Sequence, residues 1–261
     1  AEMFQETEEL QGIRIEEETG QVSGIRVTWV TVENEKGAKK LGKAIGDYVT
    51  LEVPMLDETD VSYHREITNE VAEQIRRLIP DMKHKKVLVA GIGNQEMAPD
   101  ALGPMVVDHL FITRHLIQEY GRNSEITRGM GCVSALAPGV MAQTGIETRE
   151  ILLGTVRETR PDVLLVIDAL AARSVKRLNK TIQITNTGIA PGAGVGNRRF
   201  GIDEKVMGIP VIAIGIPTVI DAATIVNDTV GNLLSIMDET RNRLSERIWE
   251  GVAPFDEQER D

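Results

Sequence analysis

Three apolar runs set what this chain can fold into: Val87-Leu88-Val89-Ala90 after Lys86, Val163-Leu164-Leu165-Val166-Ile167 and Val211-Ile212-Ala213-Ile214-Gly215-Ile216. None alternates apolar with polar positions, so neither face of these segments is made for water. Strands buried on both sides read this way, and they belong to parallel sheets covered by helices. Each run is far too short to cross a bilayer. Aromatics make up only 3% of the 261 residues, so the core must be built from Ile, Val, Leu, Ala and Met.

The segments between these runs read mostly as helices. Thr59 to Leu78 places Ile67, Val71, Ile75 and Leu78 at helical spacing before Pro80. Leu102 to Tyr120, Gly145 to Thr159 and Asp221 to Trp249 are further helix candidates, the last as one or two helices. Val133 to Leu136 and Thr181 to Ile184 are shorter strand candidates, and Pro191 to Asn197 is a glycine-rich loop. Near the N-terminus, Ile25 to Val32 alternates and Asp47 to Val53 forms a second such stretch, whereas residues 1–20 are rich in Glu without a firm period. Strands separated by helices predict an α/β fold: a three-layer architecture with a mostly parallel central sheet. Residues 1–55 form a β-rich N-terminal extension of a single domain spanning 1–261.

A net charge of −11 argues against a surface that holds nucleic acid by neutralising phosphates. With Cys132 the single cysteine, neither an intrachain disulfide nor a cysteine zinc cluster can form. No signal peptide is read at the start, so a cytosolic, acidic protein with no membrane contact is expected.

In open α/β sheets the working site lies beyond the carboxyl ends of the strands. The first run ends in Gly91-Ile92-Gly93-Asn94 and leads on to Pro99-Asp100-Ala101-Leu102-Gly103-Pro104; the second ends in Asp168; the third ends in Gly215-Ile216-Pro217-Thr218. A carboxylate directly after five apolar residues calls for a partner or a chemical role, which makes Asp168 the most telling single residue. Gly91-Ile92-Gly93 is a poor dinucleotide fingerprint because Glu96 stands where the third glycine is needed. A tight strand-to-helix turn explains those glycines better. His64, His84, His109 and His115 form no HExxH pair, and no GxSxG elbow surrounds Ser134, Ser174 or Cys132. Asn186-Thr187-Gly188 has an amide where a pepsin-like acid would stand, and reads as a turn. Two aspartates at neighbouring strand ends remain. A carboxylate pair can hold one proton between its members, one activating water while the other polarises a carbonyl. Their spacing in the sequence allows this without requiring it.

The blocks Gly91–Asn94, Pro99–Pro104, Ile112–Leu116, Val133–Ala135, Pro138–Met141 and Thr144–Thr148 resemble the germination protease family of spore-forming bacteria. So do Ile167–Ser174, Pro191–Asn197 and Gly208–Thr218, and the likeness runs in consistent order over roughly residues 24 to 230. The resemblance implies an endopeptidase that degrades small acid-soluble spore proteins during germination. It also implies a zymogen that removes its own N-terminal segment, a homotetramer, and a place in the spore core cytoplasm. The family's proposed catalytic aspartates fall on Asp100 and Asp168. The implied fold is similar to that of hydrogenase-maturation peptidases, which contact nickel through acids and a His; no His is placed here, so a reading without metal or other cofactor is favoured. A metal-dependent peptidase and a non-catalytic binding protein of the same fold are the alternatives. The start at Ala1 fits a processed form, and the end at Asp261 falls short of the family's usual length. Cleavage after Glu, implied by the family, calls for cations in the cleft. Arg173, beside Asp168, and Arg198 are the candidates for substrate binding, with Lys176, Arg177 and Arg199 behind them and Asn94 as a further contact.

Overall fold

A computed structural model describes residues 12–19, 24–56, 60–192 and 200–251. Its strands are β1 (Ile13–Thr19), β2 (Arg26–Val32), β3 (Gly46–Glu52), β4 (Lys86–Gly91), β5 (Cys132–Leu136), β6 (Val163–Ala172), β7 (Thr181–Thr185) and β8 (Val211–Ile220). All eight lie in one sheet, in the order β1-β2-β3-β7-β8-β6-β4-β5. The expected α/β class holds, and the N-terminal strands extend the same sheet. The sheet is more mixed than expected, however. The aliphatic runs do pair in parallel, β8 with β6, β6 with β4 and β4 with β5, while β1, β2, β3 and β7 join antiparallel. The reason lies in the connections. A parallel crossover needs a dozen or more residues, and residues 173–180 between β6 and β7 are too few, so β7 returns antiparallel against β8.

Helices cover both faces. On one, α2 (Val61–Leu78) lays Tyr63 and Ile67 into a core with Val49, Leu51, Val87, Val89, Leu165 and Ile212. Asp60 caps it, its carboxylate accepting the Ser62 N–H at 2.8 Å. On the other face, α6 (Thr148–Thr159) contributes Leu152 and Val156, and the short α7 (Glu204–Met207) contributes Met207, against Leu88, Ala90, Leu164, Val166 and Val211. The expected helix from Leu102 to Tyr120 is broken into α3 (Leu102–His109) and α4 (Arg114–Tyr120). At the break, buried Thr113 is drawn to the sheet edge, its N–H donating to Val133 O at 3.0 Å and its hydroxyl to Gly131 O at 2.5 Å. The stretch expected as one helix from Gly145 is preceded by α5 (Met141–Thr144), which Gly145 ends in a left-handed conformation (φ 70°), before α6 starts afresh. The last helix is single, α8 (Ala222–Gly251); it meets the fold at the turn Val175–Arg177 and leaves Val226, Val230, Leu233, Leu234 and Met237 exposed.

Candidate active site

The carboxyl ends of β4, β6 and β8 meet at one end of the sheet. Leaving β4, the backbone passes through Gly93 at φ 124°, a conformation that favours glycine. A Cβ there would also strike the carbonyl of Asp100, so the loop folds back tightly over its own start. Asp100 closes a 3₁₀ turn, Ala98–Asp100, and its carboxylate accepts the Asn94 N–H at 2.8 Å. That turn lies against β6 and β8, and the Thr218 hydroxyl donates to Pro99 O at 2.5 Å. Behind it, α3 begins with Gly103 pressed on the backbone of Ile92 and the carbonyl of Ile167. The half-buried Asp100 is thus fixed from β4, β8 and α3 together.

Asp168 does not end its strand. β6 runs four residues further, to Ala172, and β8 likewise continues to Ile220 through Pro217. What stops at this point is β4. Its pairing ends at Gly91 opposite Ile167, closed by the Ile92 N–H donating to Ile167 O at 2.8 Å. Beyond it β6 and β8 carry on, with β7 still paired to β8 as far as Gly215, and past that row they form a two-stranded ribbon with a register shift at Leu170/Ala171. Asp168 is therefore the first β6 residue past the end of β4, and it is 5% exposed. By strand alternation it shares a face with Leu164, Val166 and Leu170. In register it stands beside Gly215, which in turn stands beside Gln183.

The other expected residues are distributed around this point. The Asn94 amide oxygen accepts the Glu96 N–H at 3.0 Å and the Gln143 amide at 3.2 Å, a link that brings α5 to the Asp100 loop. Arg173 is exposed just past the end of β6, close enough to Lys43 to repel it. Arg198 and Arg199, with most of the glycine-rich loop, lie outside the described residues. Among the described residues, no three of His, Cys, Asp and Glu gather as metal ligands would. His84 binds Asp81 at 2.5 Å and the His109 ring meets Met105 O at 2.7 Å; Cys132 is buried. Thr218 and Gln143, which tie the loop in place, carried no signal of their own in the sequence, although Thr218 falls within a block that carries the family resemblance.

Asn186 turns out to be a clasp rather than an acid site. It accepts the Asp47 N–H at 2.8 Å and donates to Asp47 Oδ2 at 2.8 Å, while Thr31 donates to the other carboxylate oxygen at 2.8 Å. Asn186→Asp would replace a donor with a second carboxylate facing Asp47. The expected cost is about 2 kcal/mol at neutral pH. Both facing acids would then have raised folded-state pKa values, so the deficit should shrink as the pH falls through the carboxylate range and one acid protonates. Urea titrations at two pH values measure this, and an unchanged midpoint at neutral pH would remove the clasp.

A family model described as germination protease matches residues 1–260. The germination protease of Clostridium tetani is 50% identical over 213 residues, covering 82% of this chain and 65% of that protein. That of Caldanaerobacter subterraneus is 46% identical over 244 residues, covering 94% of this chain and 74% of its own length. Among solved structures, a NiFe hydrogenase maturation protease from Thermococcus kodakarensis aligns with 62% of this chain and 96% of its own, at 14% identity and a TM-score of 0.34. With a match across nearly its whole length and relatives at this identity, the chain belongs to the germination protease family.

Proposed function

We propose that this chain is an endopeptidase that initiates degradation of small acid-soluble spore proteins during germination, with Asp100 and Asp168 flanking the attacking water. The observation that carries this is the seating of the Asp100 turn against β6 and β8, near the level where β4 ends and Asp168 lies buried on β6. One carboxylate, ionised, takes a proton from water as it attacks the peptide carbonyl and then passes that proton to the leaving amine; the other, protonated, donates to the carbonyl oxygen and recovers its proton as the tetrahedral diol collapses. In this reading Asp100, whose carboxylate accepts the Asn94 N–H, serves as the base and buried Asp168 as the acid. No described helix is long and apolar enough to cross a membrane. The spore core cytoplasm is the proposed location and a homotetramer the proposed assembly, supported by the exposed apolar side chains along α8. Light scattering should return the mass of four chains; a monomer at micromolar concentration would remove that part.

The test is cleavage of a purified spore protein with and without a strong chelator. Cleavage unaffected by chelator is expected, chelator-sensitive cleavage would make the aspartates metal ligands, and binding without cleavage would make the chain a recognition module. Substrate cations give a second measurement. Arg173→Ala is expected to lower cleavage after Glu by about tenfold, the worth of one partly exposed charged contact, and to change cleavage after a neutral residue much less. Equal losses on both would exclude Arg173 from recognition.

A further inference from the structure

Beside Asp168 the sheet carries a cavity of about 120 Å³ that the aspartate pair does not use. Its floor is made by β3, β7, β8 and β6, through Thr50, Gln183, Thr185, Gly215 and Leu170, and Lys43 and Tyr48 stand at its side. The depth comes from a missing side chain: Gly215 leaves room that Leu170 leans over, its Cδ1 2.5 Å from where a Cβ would sit. Register fixes its distance from the chemistry. Gln183, Gly215 and Asp168 occupy one row across three strands, so the cavity opens one strand away from Asp168.

Lys43 is the unusual member. The residue follows α1 (Glu35–Leu41) and the left-handed Gly42, and its ammonium is held 4.2 Å above the Tyr48 ring. Burial, and then repulsion from Arg173 and Arg177, pull its pKa below the usual lysine value. Among the described residues none of these three cations makes an ion pair. In a chain of net charge −11, a gathering of cations outside any described salt bridge is a place suited to an external anion. The floor amide of Gln183 and the hydroxyl of Thr50 can donate to it, and the volume suits one side chain rather than a phosphorylated cofactor.

We infer that this cavity is the subsite for an acidic substrate side chain and that Lys43 is its specificity-determining residue, with Arg173 and Arg177 at the rim. The inference rests on the peptidase reading for its position but not for its chemistry. An entering carboxylate relieves the repulsion among the three cations and gains a charge-assisted hydrogen bond, which an isosteric amide cannot match.

Lys43 is exposed as a residue, so Lys43→Met is expected to fold normally. Two peptides differing only in Glu or Gln before the scissile bond should be cleaved by the wild-type chain with a clear Glu preference. In Lys43→Met the kcat/KM on the Glu peptide should fall about 10- to 100-fold, that on the Gln peptide less than about threefold, and Lys43→Arg should keep most of the preference. Equal losses on the two peptides, or an unchanged ratio, would overturn the assignment. Calorimetric titration with product peptides ending in Glu or Gln separates this from the peptidase reading. If nothing is cleaved but the Glu-ended peptide binds more tightly in a Lys43-dependent way, the subsite stands and the peptidase reading falls. If neither end is preferred, the subsite falls.

Discussion

Asp168→Asn is expected to lower kcat/KM on a spore-protein substrate by about 10³-fold or more, with the fold intact. The amide keeps the shape of the side chain but can neither hold a transferable proton nor accept one. Asp168 is 5% exposed and the amide is nearly isosteric with the carboxyl, so packing is conserved and the variant should still fold. Asp100→Asn should lose activity to a similar degree, since its amide oxygen can still accept the Asn94 N–H while its basicity is gone. The two changes together should cost little more than either alone, as groups that act as one unit do. Circular dichroism and thermal melts establish that each variant is folded. Activity of a folded Asp168→Asn within tenfold of wild type would end the aspartate-pair mechanism.

The sheet's parallel half was legible because its chemistry is uniform: β4 and the first parts of β6 and β8 are aliphatic on both faces and buried on both faces. Legibility failed where other residues interrupted that pattern. Asp168 and Gly215-Ile216-Pro217 read as strand ends, whereas β6 and β8 accommodate a buried acid, a glycine and a proline once β4 has stopped. β1 was missed because an edge strand that exposes Glu17, Glu18 and Thr19 carries no apolar period; its pairing to β2 is what defines it. The break at Leu110–Thr113 depends on bonds to Gly131 and Val133, some twenty residues away. For the proposed site, strand-end reasoning singled out Asp168, and Asp100 was put forward by the family resemblance. Nothing local in the sequence marks Lys43, whose position beside Gly215 depends on β3 and β8 both flanking β7.

Gly103→Ala is the stability change with the largest expected effect, and it bears on the same site. Judged by helix propensity alone, alanine in α3 should gain about 1 kcal/mol. The position reverses that sign. A Cβ on Gly103 would meet the backbone nitrogen and oxygen of Ile92 and lie 2.5 Å from the Ile167 carbonyl oxygen. These are main-chain atoms just past the end of β4 and midway along β6, and they have no rotamer by which to yield. The helix must therefore lift off the sheet, taking with it the Val107 contact over Gly91 and, three residues upstream, Asp100. A cost of about 3 kcal/mol or more is expected, or a fall in Tm of roughly 6–12 °C for a domain of this size. Gly154→Ala in α6 is the matched control: its Cβ would meet nothing within 4 Å, and it should stabilise by about 0.5–1 kcal/mol. If both substitutions shift the melting temperature alike, the close approach of α3 to the strand ends is not what holds Asp100 in place. If only Gly103→Ala destabilises, and loses cleavage while still folded at low temperature, the seat of Asp100 and the packing of α3 are one structural unit.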